Sequence, residues 1–160
     1  MKKLAISAIL AGFVLFAIAT TALATSSIGV TSTVPVQGDI DDIDVQLKNG
    51  EWKVKLDTKG PSTIAVSEST VAPGGGFGWH SHPGPSLVIV KSGTSTFYRG
   101  DDPDCTPVVH PAGTAYVDPG GVVHTARNEG TQPLVLLVVR LIPAGAMPRI
   151  DQADPGYCNF

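Results

Sequence analysis

The sequence has no cluster of basic residues, no nucleophile motif and, after residue 24, no segment with a helical period. Its formal net charge is −3, and an acidic chain without a basic patch is a poor partner for nucleic acid. No serine or cysteine lies in the strand–turn–helix setting of a nucleophile, and no glycine-rich phosphate loop precedes a helix. We therefore expect neither nucleic-acid binding nor nucleophilic catalysis.

The only long apolar run lies at residues 4–19, directly after Lys2 and Lys3. It is followed by Ala22-Leu23-Ala24, a small-x-small cleavage pattern, so residues 1–24 are predicted to be a signal peptide cut after Ala24. The alternative is an uncleaved anchor, although a run of 16 residues is shorter than the roughly 20 that span a bilayer. We expect a secreted or periplasmic protein with no stable membrane span after cleavage.

The chain that remains after cleavage has 136 residues, which is the size of one domain. Its only cysteines are Cys105 and Cys158. In an oxidising compartment such a pair predicts a disulfide, and two free thiols are the alternative.

Short strands separated by glycine and proline turns follow one another through most of the chain. Two alternating runs around Asn49-Gly50 predict a hairpin in which Trp52 packs inward. Further strands are predicted at residues 64–71, 87–90, 94–98, 114–117, 122–126 and 133–142, the last of them buried on both faces. This pattern is typical of an all-β sandwich or barrel. We expect a flexible lead-in at residues 25–38 and one barrel domain over residues 39–160, with a Pro/Gly-rich tail from residue 145.

Three histidines are candidates for one metal site. His80 and His82 are two residues apart, so on a strand both imidazoles face the same side. His124 lies on a later strand and would complete one face of a coordination sphere, leaving the other face open, as in catalytic rather than structural sites. Imidazole suits iron, zinc, nickel and copper. The alternative is a polar pocket without metal.

The histidines also lie within two motifs that resemble those of the cupin family. The first motif, G-x5-H-x-H-x3-4-E-x6-G, is matched by Gly74, His80, His82 and Gly93. The second, G-x5-P-x-G-x2-H-x3-N, is matched by Gly113, Pro119, Gly121, His124 and Asn128. The resemblance implies a single-domain jelly-roll barrel of the double-stranded β-helix type, with a metal inside.

The chain departs from the family at the glutamate of the first motif, where it has Ser86. Without that carboxylate the site has three neutral ligands, and a bound ion would be a stronger Lewis acid that favours an anionic or chelating substrate. Similar three-histidine relatives include thiol, gentisate and diketone dioxygenases. The opposite interpretation is that, without the carboxylate, the site retains a metal weakly or not at all.

Other residues near these motifs have more ordinary interpretations. Ser86, Phe97 and Tyr116 are candidates to line the site, although the two aromatic rings could simply fill the core. His110 is expected on a surface loop, and Trp79 is expected to pack on the opposite side of its strand from His80. Asn128 is expected to serve the backbone of a turn.

Two functions remain open. The first is a metalloenzyme that holds Fe(II), or nickel, zinc, copper or manganese, and oxidises a small organic substrate in a dioxygenase-type reaction. The second is a non-catalytic barrel that binds or senses a small ligand. No inward-facing acid or base beyond the histidines is evident, so the sequence does not decide whether the protein is an enzyme. A homodimer through the first hairpin is a further expectation.

Overall fold

The computed structural model describes residues 24–160, which form an all-β structure. The predicted signal peptide falls on residues 1–23 and Ala24, so nearly all of it lies outside the described residues. No helix in the described part of the chain is long and apolar enough to cross a membrane. The strands are β1 (Ile28–Ser32), β2 (Val36–Ile40), β3 (Asp44–Asn49), β4 (Trp52–Asp57), β5 (Ser62–Gly76), β6 (His80–Ser81), β7 (Ser86–Ser92), β8 (Thr94–Arg99), β9 (Val108–Pro111), β10 (Ala115–Asp118), β11 (His124–Arg127), β12 (Leu134–Pro143) and β13 (Ile150–Asp151).

Eleven of these strands form one antiparallel sheet that curls into a jelly-roll barrel, as the sequence predicted. Its central path is β10-β7-β12-β5-β11-β6-β13, and β1, β2, β8 and β9 add to it. The core lies on the inner face of β5, β7 and β12, where alternate residues are buried: Val71, Val88, Val90, Leu134, Leu136 and Val138. The outward residues of β12 are only half-buried, so the prediction that both faces are buried is wrong.

Residues 25–38 are not a flexible lead-in. They contain β1 and most of β2, which both pair with the long strand β5. The alternation of residue types is weak here because most side chains of β1 and β2 are exposed, which leaves little hydrophobic signal in the sequence.

The predicted hairpin is present, but it stands apart from the barrel. Among the described strands, β3 and β4 pair only with each other, with Asn49 opposite Trp52. This two-stranded sheet is not covered by the described barrel strands, so Trp52 is 60% exposed, and the prediction that it packs inward is wrong.

The residues after 143 also have a structural role. β13 pairs with β6, so that Asp151 lies opposite His80. The predicted disulfide between Cys105 and Cys158 is present, and Cys158 is buried against Trp79 and Tyr98. The tail is therefore fixed against the strand that carries the first histidine.

Two glycine-containing loops meet at one end of the barrel. The loop before β7 and the loop after β10 are joined by a hydrogen bond from the Gly121 N–H to the His82 carbonyl, at 2.8 Å. Gly120 has a φ of +76°, and a Cβ there would collide with the Gly84 carbonyl. Only glycine at position 120 allows this close approach.

Replacing Gly120 with alanine should therefore separate the two loops. Gly113→Ala is the matched control, since Gly113 has a similar φ of +84° but nothing within 4 Å of an added Cβ. The control should lose about 1 kcal/mol of stability from backbone strain alone, and Gly120→Ala should lose at least 1 kcal/mol more because of the collision. Urea unfolding of both variants measures this difference. Equal losses would show that the contact between the loops is not tight.

Candidate metal centre

The barrel brings His80, His82 and His124 together. His80 lies on β6 directly opposite His124 on β11, and His82 follows β6 two residues later. The ring centroids are 4.4 to 5.1 Å apart. One nitrogen from each of the three rings lies within 4.8 Å of the others, and all three side chains are buried. The register of two short strands therefore creates the cluster.

Hydrogen bonds to the backbone fix the tautomer of each imidazole. The Nδ1 atoms of His80, His82 and His124 lie 2.8, 2.6 and 2.9 Å from the carbonyl oxygens of Gly78, Pro148 and Val122. A carbonyl only accepts, so each Nδ1 carries the proton and donates it. Each Nε2 is then left with a free lone pair, which is the form that binds a metal.

A carboxylate that the sequence analysis did not identify also lies in this cluster. Asp118, at the end of β10, is 3% exposed. Its Oδ2 atom lies 3.3 Å from Nε2 of His124 and 3.6 Å from Nε2 of His82. The residues Asp118-Pro119-Gly120 are typical of a turn, and Asp118 Oδ1 accepts a hydrogen bond from the Gly120 N–H at 3.0 Å. The sequence does contain a signal for this position. Asp118 is two residues after Tyr116, so both side chains lie on the same face of β10.

The cluster contains acceptors without donors. Neither Nε2 facing Asp118 carries a hydrogen, and Asp118 Oδ2 is buried with no hydrogen-bond partner within the part of the chain that the structure describes. Lone pairs that face one another in a buried site destabilise the folded protein unless a cation lies between them. The donor set therefore fits a metal ion.

The cluster opens onto a cavity of about 30 Å³ inside the barrel. Ser86, Phe97 and Tyr116, the three candidates for the lining, all border this cavity. The Phe97 ring also stacks on His124, with centroids 5.1 Å apart. Arg140 is a further lining residue that the sequence analysis missed, because it lies in the apolar strand β12.

Two polar atoms on the cavity wall have no partner. Ser86 Oγ and Arg140 Nε are buried and make no hydrogen bond with any described residue. Among residues 24–160, the Arg140 guanidinium makes one hydrogen bond, from its Nη1 to Ser67 Oγ at 3.4 Å. A hydroxyl and a cationic donor are therefore free to bind a ligand in the cavity.

The remaining candidates lie outside the cluster. His110 is on β9, not on a loop, and its ring stacks on that of Tyr116 with centroids 4.1 Å apart. Trp79 is buried against Tyr98, away from the histidines, as expected. Asn128 donates to the Val71 and Gln132 carbonyls and accepts from the Gly130 N–H, so it serves the backbone as predicted.

Burial keeps the three histidines neutral. Loss of hydration is the largest effect on each pKa, and it lowers the pKa of His80 to about 2 and that of His82 to about 4. It also lowers the pKa of His124, against the opposing effect of Asp118. At neutral pH all three imidazoles can therefore act as ligands without first losing a proton.

The match to one protein-family model agrees with this architecture. The family model of the cupin domain matches residues 67–140. No curated protein matches the chain. A Klebsiella pneumoniae protein with a double-stranded β-helix domain is 20% identical over 74% of this chain and 84% of its own, with a TM-score of 0.44.

Two enzymes are similar over a smaller part of their length. A DMSP lyase from Ruegeria pomeroyi is 20% identical over 53% of this chain and 41% of its own, with a TM-score of 0.46. An oxalate decarboxylase from Lactobacillus farciminis is 23% identical over 55% of this chain and 26% of its own, with a TM-score of 0.48. The similarity thus spans less than half of either enzyme.

The lowered histidine pKa values predict that the metal-free protein loses stability in acid. Below pH 6.5 the histidines are protonated in the unfolded chain but stay neutral in the folded protein. The free energy of unfolding therefore falls as the pH falls. Each neutral histidine contributes a slope of about 1.4 kcal/mol per pH unit, down to about pH 4 for His82. Urea unfolding between pH 7.5 and pH 5 measures it. His80→Asn should reduce the slope by about 1.4 kcal/mol per pH unit, because one buried histidine is removed. An unchanged slope would contradict the lowered pKa of His80.

Proposed function

We propose that the chain is a cupin, since the cupin-domain model matches residues 67–140, and that its three-histidine cluster binds one divalent metal ion. The observation that supports this most directly is the set of three hydrogen bonds from Nδ1 to backbone carbonyls. They leave each Nε2 with a free lone pair, and those of His82 and His124 face the Asp118 Oδ2 atom, which has no hydrogen-bond partner in the described part of the chain. Such a set of acceptors is suited to a cation.

Histidine ligands suit several metals. Iron(II) is our first choice because the motifs resemble those of the cupin family, whose three-histidine members include dioxygenases; nickel, zinc, copper and manganese are alternatives. A bound ion of this kind would act as a Lewis acid and, if it is iron, manganese or copper, would also supply redox chemistry. His80, His82 and His124 would hold it, and the protein would shield it from bulk water.

The leading reaction is a dioxygenase-type oxidation of a small anionic organic substrate. The cavity of about 30 Å³ is space for about two water molecules, so as it stands it accepts only a few heavy atoms. Arg140 Nε and Ser86 Oγ are the unpaired donors on its wall, and they would orient an anionic group. Phe97 and Tyr116 would pack against the rest of the molecule.

A non-catalytic binding or sensing barrel is the second candidate, and one observation favours it. Apart from the histidines and Arg140, the only titratable side chains on the cavity wall are Tyr116 and Asp118. Burial raises the pKa of Tyr116 above its usual value, so the phenol keeps its proton and is not available as a base. If Asp118 binds a metal, no free base remains on the cavity wall to accept a proton.

Export is a further part of the proposal. The disulfide between Cys105 and Cys158 is compatible with an oxidising compartment. Together with the signal-like residues 1–24, it supports a secreted or periplasmic protein that is cleaved after Ala24.

The metal is tested by elemental analysis of residues 25–160, purified without an affinity tag or chelator. We expect about one equivalent of a single transition metal, and less than a tenth of that in His80→Ala and His82→Ala, because each variant loses a direct ligand. His110→Ala is the control, since this histidine lies outside the cluster and should leave the metal content unchanged. No metal, with none taken up when iron, zinc or manganese is offered, would refute the metal site.

Activity is tested on the metal-loaded protein by oxygen consumption and product analysis with small thiols, dihydroxybenzoates, diketones and carboxylates. An oxygenase should lose at least 100-fold in kcat/KM on His82→Ala, and Arg140→Met should raise KM for anionic substrates more than for neutral ones. Binding without turnover across the whole set would favour the binding barrel.

A further inference from the structure

Three polar residues form one row across neighbouring strands of the barrel. Asp118 on β10 lies directly opposite Ser86 on β7, and Ser86 lies directly opposite Arg140 on β12. Residues that are directly opposite in antiparallel strands point to the same face, and all three line the cavity. Position 86, where the first motif has its glutamate, therefore lies beside Asp118 on the neighbouring strand β10.

The two oxygens of Asp118 have different surroundings. Oδ1 accepts the Gly120 N–H, which fixes the orientation of the carboxylate. Oδ2 is buried, has no hydrogen-bond donor, and lies 3.3 and 3.6 Å from two imidazole Nε2 atoms. The turn at Gly120 thus directs one oxygen into the histidine cluster.

A single proton does not satisfy this arrangement. A proton shared between Oδ2 and one Nε2 leaves the other Nε2 without a donor, because both Nδ1 hydrogens are already bound to carbonyls. A cation in the centre satisfies Oδ2 and the Nε2 atoms together. The carboxylate also supplies the one negative charge that three histidines lack.

We propose that Asp118 is the fourth protein ligand of the metal, supplied from β10 in place of the missing carboxylate at position 86. This inference rests on the proposed metal site. It also explains Ser86, because a small side chain at that position leaves the space into which the Asp118 carboxylate points. The site is then formed by three histidines and one aspartate, and it carries one negative charge.

The test is Zn²⁺ affinity, measured on the exported protein by competition with a chromophoric chelator. Asp118→Asn keeps the size of the side chain and removes its charge. Loss of a residue that only orients a ligand costs 10- to 100-fold in affinity, so loss of a direct ligand should cost more than 100-fold. Asp101→Asn is the control, since Asp101 is exposed and bound to Arg99, and it should bind Zn²⁺ as the wild type does.

A double variant tests where the carboxylate can come from. Because position 86 is directly opposite position 118, Ser86→Glu in an Asp118→Ala background should recover at least tenfold of the lost affinity. A general loss of folding would not be reversed in this way. If recovery fails while Asp118→Asn keeps affinity within 100-fold of the wild type, Asp118 is not a ligand.

The outcomes separate this inference from the proposed function. If the wild type binds no Zn²⁺, the metal site itself is refuted. If the wild type binds it and Asp118→Asn is unchanged, only the role of Asp118 is refuted. Should Asp118→Asn not fold, the infrared difference spectrum of the wild type on Zn²⁺ addition decides: we expect a shifted carboxylate stretch, and its absence would overturn the inference.

Discussion

The site depends on three hydrogen bonds that run from imidazole Nδ1 atoms to backbone carbonyls. Two of the carbonyls, of Gly78 and Val122, lie two residues before the histidines that they hold, and the third, of Pro148, comes from a distant part of the chain. Because these acceptors belong to the main chain, they do not depend on side-chain identity. They orient the rings before any ligand arrives, which reduces the entropic cost of binding.

The second constraint is strand register. A shift of one residue between β7 and β10 would turn Asp118 away from the barrel interior, because side chains alternate faces. The same is true of His80 against His124. The contact between the two glycine-containing loops helps to fix the register of β7 and β10 at the end of the barrel that contains the polar groups. The apolar core at β5, β7 and β12 supports the strands on which this register depends.

The three histidines, the disulfide partners and most strands could be predicted because each has a local or motif signal. The residues that were missed lack one. Asp118 stands in a sequence typical of a turn, and its role follows from a cross-strand neighbour 32 positions earlier. Arg140 is the single charged residue in an apolar strand, and β1 and β2 carry little hydrophobic pattern because they are mostly exposed. Trp52 was misplaced because alternation shows which residues share a face but not whether anything covers it.

The position of Pro148 also sets the order in which the molecule can be assembled. Its carbonyl orients His82, and β13, just after it, pairs with the strand that holds His80. Both lie beyond all three histidines in the chain, so a nascent polypeptide that already contains every imidazole still lacks the groups that hold two of them in place. The site is therefore completed after synthesis has passed residue 151.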